Sequence, residues 1–344
     1  MLSLMESGGV AFVLALLVTP LFIRFLHARQ LGQRIREDGP ASHLAKEGTP
    51  TMGGIVIIGA AVVGYLMGHV GTSIPFSRGG ILVMCATIVT AFLGLADDII
   101  SIRRSRNLGL NKRAKFAGQL LIAVSFAVAA VYWVQTKTVL SFTRFSLPGW
   151  SLGVAGWILL AVLIVVGTSN AVNLTDGLDG LAAGSATFCF GVLSVIGYWE
   201  FRHFNYYQLP TALDLGLVAV AMVGGCLGFL WWNAAPARIY MGDTGSLAVG
   251  TALGGICLLM NLDLLLVIIG GLFVVETASV ILQVISFRSF GRRIFRMAPI
   301  HHHFEIKGWP ETTVIVRFWI LSGLLAALGL GIFYGDFVKI AKVV

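Results

Sequence analysis

"GILVMCATIVTAFLGLADDIISI" (residues 80–102) joins a long apolar run to two adjacent carboxylates, Asp97 and Asp98. A membrane-crossing helix needs about 20 apolar residues, and an aspartate at its centre costs roughly 2.5–3.5 kcal/mol even on insertion scales. The pair therefore belongs at a membrane boundary, where something must compensate the charge.

The rest of the chain repeats this pattern. It has 344 residues, of which 57% are hydrophobic and 12% charged, with a mean hydropathy of +0.88. A soluble domain is about 25% charged, so this composition predicts an all-α polytopic membrane protein. Apolar runs predict helices over 9–26, 52–70, 80–96, 116–134, 152–167, 181–199, 213–232, 246–260, 264–287 and 313–337, about ten in all. The break between the eighth and ninth, "MNLDL", is very short. No separate soluble domain is visible, so a single integral-membrane domain over 1–344 is expected. The first run lacks a basic flank and a small-residue cleavage site, and it reads as a retained span in which Pro20 is a candidate kink. Cys85, Cys189, Cys226 and Cys257 lie far apart in apolar runs, without metal-ligand spacing.

Ten spans would place the loops on alternate sides. One side collects Arg29, Arg34, Arg36, Lys46, Arg103, Arg104, Arg106, Lys112, Arg113, Lys115, Arg238, Arg288, Arg292, Arg293, Arg296 and Lys307; the other has Arg78, Lys137, Arg144, Arg202, Lys339 and Lys342. The positive-inside rule makes the first side cytoplasmic and both termini periplasmic. The net charge of +8 then points to anionic headgroups or an anionic cytosolic substrate, not to nucleic acid.

Every unusual polar cluster falls on that basic side: "KEGTPTMGG" (46–54), "ADDIISIRRSRNLGLNKRAKF" (96–116), "NAVNLTDGLDGLAAG" (170–184), "WWNAAPARIYMGDTGS" (231–246) and "MAPIHHHFEIKGWPE" (297–311). One site built from several loops explains the sidedness. Asp97 and Asp98 sit at the negative end of their helix dipole, where a divalent metal or a lysine would relieve them; pairing with Arg103 or Arg104 is the simpler alternative. If the helix runs on through them, their side chains point about 100° apart and take different roles. Asp176 and Asp179 are spaced i, i+3 beside glycines that permit close ligand approach, although an Asp-Gly turn accounts for the same residues. Asp243 precedes a helix whose N-terminus suits a phosphate and whose carboxylate suits Mg²⁺, with simple capping as the alternative. Asn233 can add a neutral oxygen. Three consecutive histidines cannot all face one site; a solvated polar loop is the simpler alternative, and His301 is the favoured site residue. HExxH, GxxxxGK[ST] and GxGxxG are all absent. Carboxylates, lysines, glycine loops and histidine at a membrane surface suit transfer of a phosphoryl-linked group to a lipid, with Mg²⁺ screening a diphosphate.

The motifs "GTPTMGG", "LGLADD", "NAVNLTDGLDGLA", "MGDTGSLAVG" and "PIHHHFE", in this order, resemble the phospho-N-acetylmuramoyl-pentapeptide transferase family of the polyprenyl-phosphate hexose-1-phosphate transferase superfamily. The resemblance spans essentially the whole chain. It implies ten transmembrane helices, a homodimer, and an active site on the cytoplasmic face of the bacterial inner membrane. It also implies the Mg²⁺-dependent reaction of UDP-MurNAc-pentapeptide with undecaprenyl phosphate to give lipid I and UMP in peptidoglycan synthesis. On this basis Asp97, Asp98, Asp243 and His301 are the expected catalytic residues, with Asp97 deprotonating the lipid phosphate and Asp243 holding the metal. Expected substrate contacts are Lys46, Thr51, Lys112, Lys115, Asn173, Asp176, Asp179, Asn233, Tyr240, His302 and His303. Lys115 is the choice for the phosphate-binding lysine. Tyr240 stands where the family often carries Phe, and a phenol retains the stacking face. Two other activities fit fewer features: a GlcNAc-1-phosphate transferase of the same superfamily, whose histidine motif tends to be shorter, and an ion-coupled transporter, whose acids commonly lie near the bilayer midplane. Glu276 and Asp214 are the exceptions to the clustering of acids at one face, and Glu276, inside a span, reads as a helix–helix hydrogen bond.

Overall fold

The computed structural model describes residues 1–29, 48–70, 72, 74–103 and 109–342. Lys46, Arg34, Arg36, Arg104 and Arg106 lie outside the described residues. In chain order the helices are α1 (Leu2–Ala28), α2 (Gly54–Met67), α3 (Arg78–Arg103), α4 (Lys112–Ala129), α5 (Gly153–Thr175), α6 (Leu181–Arg202), α7 (Phe204–Tyr207), α8 (Ala212–Asn233), α9 (Gly242–Leu259), α10 (Leu266–Ile269), α11 (Gly271–Phe290), α12 (Ile300–Ile306) and α13 (Glu311–Ala341). A hairpin of β1 (Val139–Arg144) and β2 (Leu147–Ser151) separates α4 from α5.

Among the described residues, nine helices are long and apolar enough to cross a membrane, and the chain is an all-α polytopic membrane protein. In hydrocarbon every backbone polar group must be satisfied within its segment, which is what continuous helices achieve. Two of the ten expected spans differ from expectation. The second, α2, has only 14 residues, about 21 Å of helix at 1.5 Å per residue. The ninth is divided at Gly270 into the short α10 and the longer α11. Elsewhere helices outrun their apolar stretches: α3 continues through Asp97 and Asp98 to Arg103, and α5 runs on to Thr175. Pro20 lies within a continuous α1.

The bundle is organised around α9, which packs on α3, α5 and α2 and is nearly enclosed along its length. Its sequence, "GDTGSLAVGTALGGICLL", is rich in small residues. Between helices in lipid, small residues let backbones approach closely, and close packing is the main source of attraction there. Gly250 and Gly254 lie against Thr168 of α5, and Gly54 at the start of α2 lies against the Gly245 backbone; a Cβ at any of the three would overlap its neighbour. Exposed apolar side chains such as Leu17, Leu121, Leu159, Leu163 and Leu324 cover the outer surface of the bundle. Cys85 is exposed while the other three cysteines are buried, and all four are free.

The hairpin, which the sequence reading did not anticipate, lies near the C-terminal ends of α9 and α13. Asp263 accepts from the Ser141 amide at 3.0 Å and from its hydroxyl at 2.6 Å. Asp336 accepts from the Thr143 hydroxyl at 2.6 Å and pairs with Arg144 Nε at 3.1 Å. Burial pushes the Asp263 carboxyl up to about 7, opposed by the Ser141 bonds.

Candidate active site

The C-terminal halves of α3 and α5 meet the N-termini of α4 and α9 at one end of the bundle. The central group is Asp243, the second residue of α9. Its Oδ1 accepts from Asn173 Nδ2 at 2.6 Å, and its Oδ2 pairs with Lys115 Nζ. Asn173 also donates to Ser246 Oγ at 2.8 Å. The alkyl stem of Lys115 rises from the first turn of α4, which Asn111 caps by accepting from Ala114 N–H at 2.7 Å.

Asp97 and Asp98 diverge, as adjacent helical residues must. Asp97 Oδ1 accepts from the Leu110 amide at 3.0 Å and so ties the end of α3 to the chain entering α4. Asp98 reaches across to α9: it accepts from the Asp243 amide at 3.1 Å, the Thr244 amide at 3.0 Å and the Thr244 hydroxyl at 2.6 Å. A helix leaves its first N–H groups unsatisfied, and its positive end favours an anion. Here the anion that fills two of those donors is an internal carboxylate. The amides that the sequence reading left free for a phosphate at this terminus are therefore shared with Asp98, whose geometry fixes where Asp243 stands.

Glycines make this possible. Gly242 has φ +69°, and a Cβ there would lie 2.6 Å from Asp98 Oδ2 and 2.9 Å from Thr51 Oγ1. Gly94, one turn before Asp98, lies so close to the Asp243 carbonyl that a side chain would overlap it. The loop carrying buried Thr51 is stitched to the α8–α9 connection by Tyr240 N–H to Pro50 O (2.8 Å), Gly53 N–H to Tyr240 O (2.9 Å) and Gly54 N–H to Met241 O (2.9 Å). "GTPTMGG" and "YMGDTGS" thus form one backbone unit.

Asp176, just past α5, is half-buried. Burial first, then the charges of Asp243, Asp98 and Asp179, push its carboxyl up to about 8. Asp179 is buried, and its Oδ2 accepts from the Ala237 amide at 2.9 Å while its own amide donates to Glu311 Oε1 at 3.3 Å. It braces the loop against its neighbours. Asn233 is buried and donates to Ile239 O at 2.8 Å; its Oδ1 has no donor among the described residues. Tyr240 is half-buried and Lys112 exposed.

The three histidines of α12 go three ways. His301 is fully buried, with Nδ1 3.1 Å from Glu276 Oε2 and Nε2 under Gly177, where a Cβ would collide with it. His302 Nδ1 pairs with Glu305 at 2.6 Å. His303 Nδ1 accepts from the Arg296 amide at 3.0 Å, and burial with the Lys307 and Arg296 charges lowers its pKa. The HHH and DGLDG motifs are therefore in contact through His301 and Gly177. Sequence reasoning did not find the partners Leu110, Thr244, Ser246 and Glu311, because their signal is tertiary.

The donor chemistry suits a hard divalent cation. Asp98, Asp176 and Asp243 act on one another electrostatically, Asp97 interacts with Asp243, and Lys115 is the cation paired to Asp243; the ligating atoms of these carboxylates are all oxygen, as Mg²⁺ prefers. No preformed cluster of three or more acidic, histidine or cysteine ligands occurs among the described residues. That is compatible with Mg²⁺, which keeps waters and takes substrate phosphates alongside one or two carboxylates.

Comparisons with known proteins agree with the motifs. The family model described as glycosyl transferase family 4 matches residues 80–261, and that of phospho-N-acetylmuramoyl-pentapeptide-transferase signature 1 matches residues 46–58. Proteins named phospho-N-acetylmuramoyl-pentapeptide-transferase are similar along the full length. The one from Frankia alni is 50% identical over 97% of both chains. That from Saccharopolyspora erythraea is 47% identical over 99% of both, and that from Streptomyces avermitilis is 45% identical over 97% of this chain and 98% of its own. By full-length similarity as well as by its motifs, the chain belongs to the phospho-N-acetylmuramoyl-pentapeptide transferase family.

Proposed function

We propose that this protein transfers phospho-MurNAc-pentapeptide from UDP-MurNAc-pentapeptide to undecaprenyl phosphate, giving lipid I and UMP in peptidoglycan synthesis. The observation that carries the chemistry is the convergence of Lys115 and Asn173 on Asp243, with Asp98 holding the helix terminus that bears it. In the reaction a lipid phosphate oxygen bonds to the β-phosphorus of the UDP-sugar. The bond from that phosphorus to the bridging oxygen breaks, and UMP leaves with the bridging oxygen.

Each residue then has a task. Asp97 takes any proton remaining on the lipid phosphate, and the Lys115 ammonium stabilises charge on the transferring and leaving phosphates. Asp97 and Asp243 are the carboxylates that would hold Mg²⁺, because Asp98 is occupied by α9. When bound, Mg²⁺ supplies charge neutralisation across the diphosphate. Thr51, Lys112, Asn173, Asp176, Asn233, Tyr240, His302 and His303, with Lys46, are the substrate-facing set in this proposal. Tyr240 offers a ring face to uracil and the Asn233 Oδ1 a buried acceptor. Asp179 supports the loop, and His301 is the catalytic histidine, with Nε2 as its acid–base atom.

The whole chain acts as one domain in this proposal, dimeric in the bacterial inner membrane, with both termini periplasmic and the site facing the cytosol. The asymmetry of basic residues supports that orientation. A two-step route, with Asp243 as a phosphoenzyme nucleophile, is the rival mechanism. A single-turnover measurement decides between them. Direct transfer predicts no UMP until undecaprenyl phosphate is added, whereas stoichiometric UMP without lipid would establish the phosphoenzyme.

A further inference from the structure

Glu276 lies in the first turns of α11, fully buried, in a segment that otherwise reads as a plain membrane helix. Among the described residues its one ion-pair partner is His301, also fully buried, at 3.1 Å. Among the described residues none of the four polar atoms of the pair, two carboxylate oxygens and two ring nitrogens, has an aligned hydrogen-bond partner, so the 3.1 Å contact is a close but unaligned ion pair. A carboxylate buried without a partner is expensive, and so is an unpaired imidazole. The two offset each other when Nδ1 carries a proton directed at Glu276, the arrangement that leaves the carboxylate its usual charge. Nε2 then points the opposite way, to the backbone of Gly177 in "DGLDG", where there is no room for a side chain. The orientation of one histidine nitrogen is commonly set by what the other one contacts, and aligned geometry often tightens only when substrate binds.

We propose that Glu276 is a positioning residue. It fixes the ring orientation and the Nδ1–H tautomer of His301, so that Nε2 is presented beneath Gly177 at the base of the loop carrying Asp176 and Asp179. The inference deepens the transferase proposal and rests on it for its catalytic consequence, while its structural part stands alone.

The chain has seven histidines, so ¹⁵N-histidine spectra of the full-length protein in detergent can be assigned to His301 by signal loss in His301→Gln. In wild type the His301 pattern should be that of the Nδ1–H form. Glu276→Gln retains an acceptor and should keep that pattern with activity within about tenfold of wild type. Glu276→Leu should lose the pattern and lower kcat roughly 100-fold, the low end of what a positioned acid–base group contributes. The Glu276→Leu/His301→Gln double variant should be no slower than His301→Gln alone, because Glu276 acts through the histidine. An unchanged His301 spectrum in Glu276→Leu, or losses that multiply in the double variant, would overturn the proposal. If Glu276→Leu does not fold, the comparison rests on Glu276→Gln, where a changed tautomer is the contrary result. Wild-type protein that forms no UMP from the proposed substrates would count against the transferase reading, and the spectra would still decide the role of Glu276.

Discussion

Replacing Asp98 with alanine should damage the site through the fold before it touches the chemistry. The carboxylate accepts from two amides and one hydroxyl at the start of α9. The hydroxyl can turn to another acceptor, but the amides cannot. Leaving a buried donor unsatisfied costs about 1–3 kcal/mol, so the two together predict about 2–6 kcal/mol. With an unfolding entropy near 2.1 cal/mol/K per residue, that is a fall in Tm of about 3–8 °C for a chain of 344 residues. Asp97→Asn removes no comparable support, since its amide oxygen can still accept from Leu110, and its Tm should stay within about 2 °C of wild type on the same scale. Both variants should lose UMP-forming activity. The assay is thermal unfolding of detergent-purified protein, read by tryptophan fluorescence beside the activity measurement. Asp98→Ala with a wild-type Tm would refute the assignment of Asp98 as the anchor of α9, as would an Asp97→Asn variant equally destabilised.

Three further outcomes follow from the packing and the charges. Gly94→Ala drives a Cβ into the Asp243 backbone and should cost at least the 1–3 kcal/mol typical of overpacking, together with activity. Gly59→Ala, where nothing lies within 4 Å, should be silent in both Tm and rate. Asp263 has a folded pKa near 7, above its unfolded value. Its contribution to stability is therefore complete at pH below about 4 and is lost as pH rises through about 7. Between pH 5 and 8 the Tm of wild type should fall relative to that of Asp263→Asn, and parallel pH curves would contradict this. Chelation with EDTA should abolish UMP release, and Mg²⁺ should restore it; full activity in EDTA would remove the metal from the mechanism.

Much of the architecture was legible in hydropathy alone, because a bilayer imposes one strong periodic constraint on every span. The polar loops on one side likewise pointed to a single site, and Asp97, Asp98, Asn173, Lys115 and Asp243 do come together. What was hidden is tertiary. Nothing local in "LADDI" says that Asp98 will cap a helix that begins 144 residues later. Nor does "VVETAS" disclose that Glu276 meets His301. The short α2 and the divided ninth span escaped because hydropathy reports apolar content rather than helix continuity. The hairpin escaped because its strands are anchored by Asp263 and Asp336, far along the chain.

The central claim is best tested by measuring UMP release from purified protein in detergent with Mg²⁺, undecaprenyl phosphate and either UDP-MurNAc-pentapeptide or UDP-GlcNAc, for wild type and Asp243→Asn. The account predicts lipid-dependent release from UDP-MurNAc-pentapeptide, little from UDP-GlcNAc, and loss of the reaction in Asp243→Asn with the protein still folded. Turnover of UDP-GlcNAc alone, or an Asp243→Asn variant as fast as wild type, would contradict it.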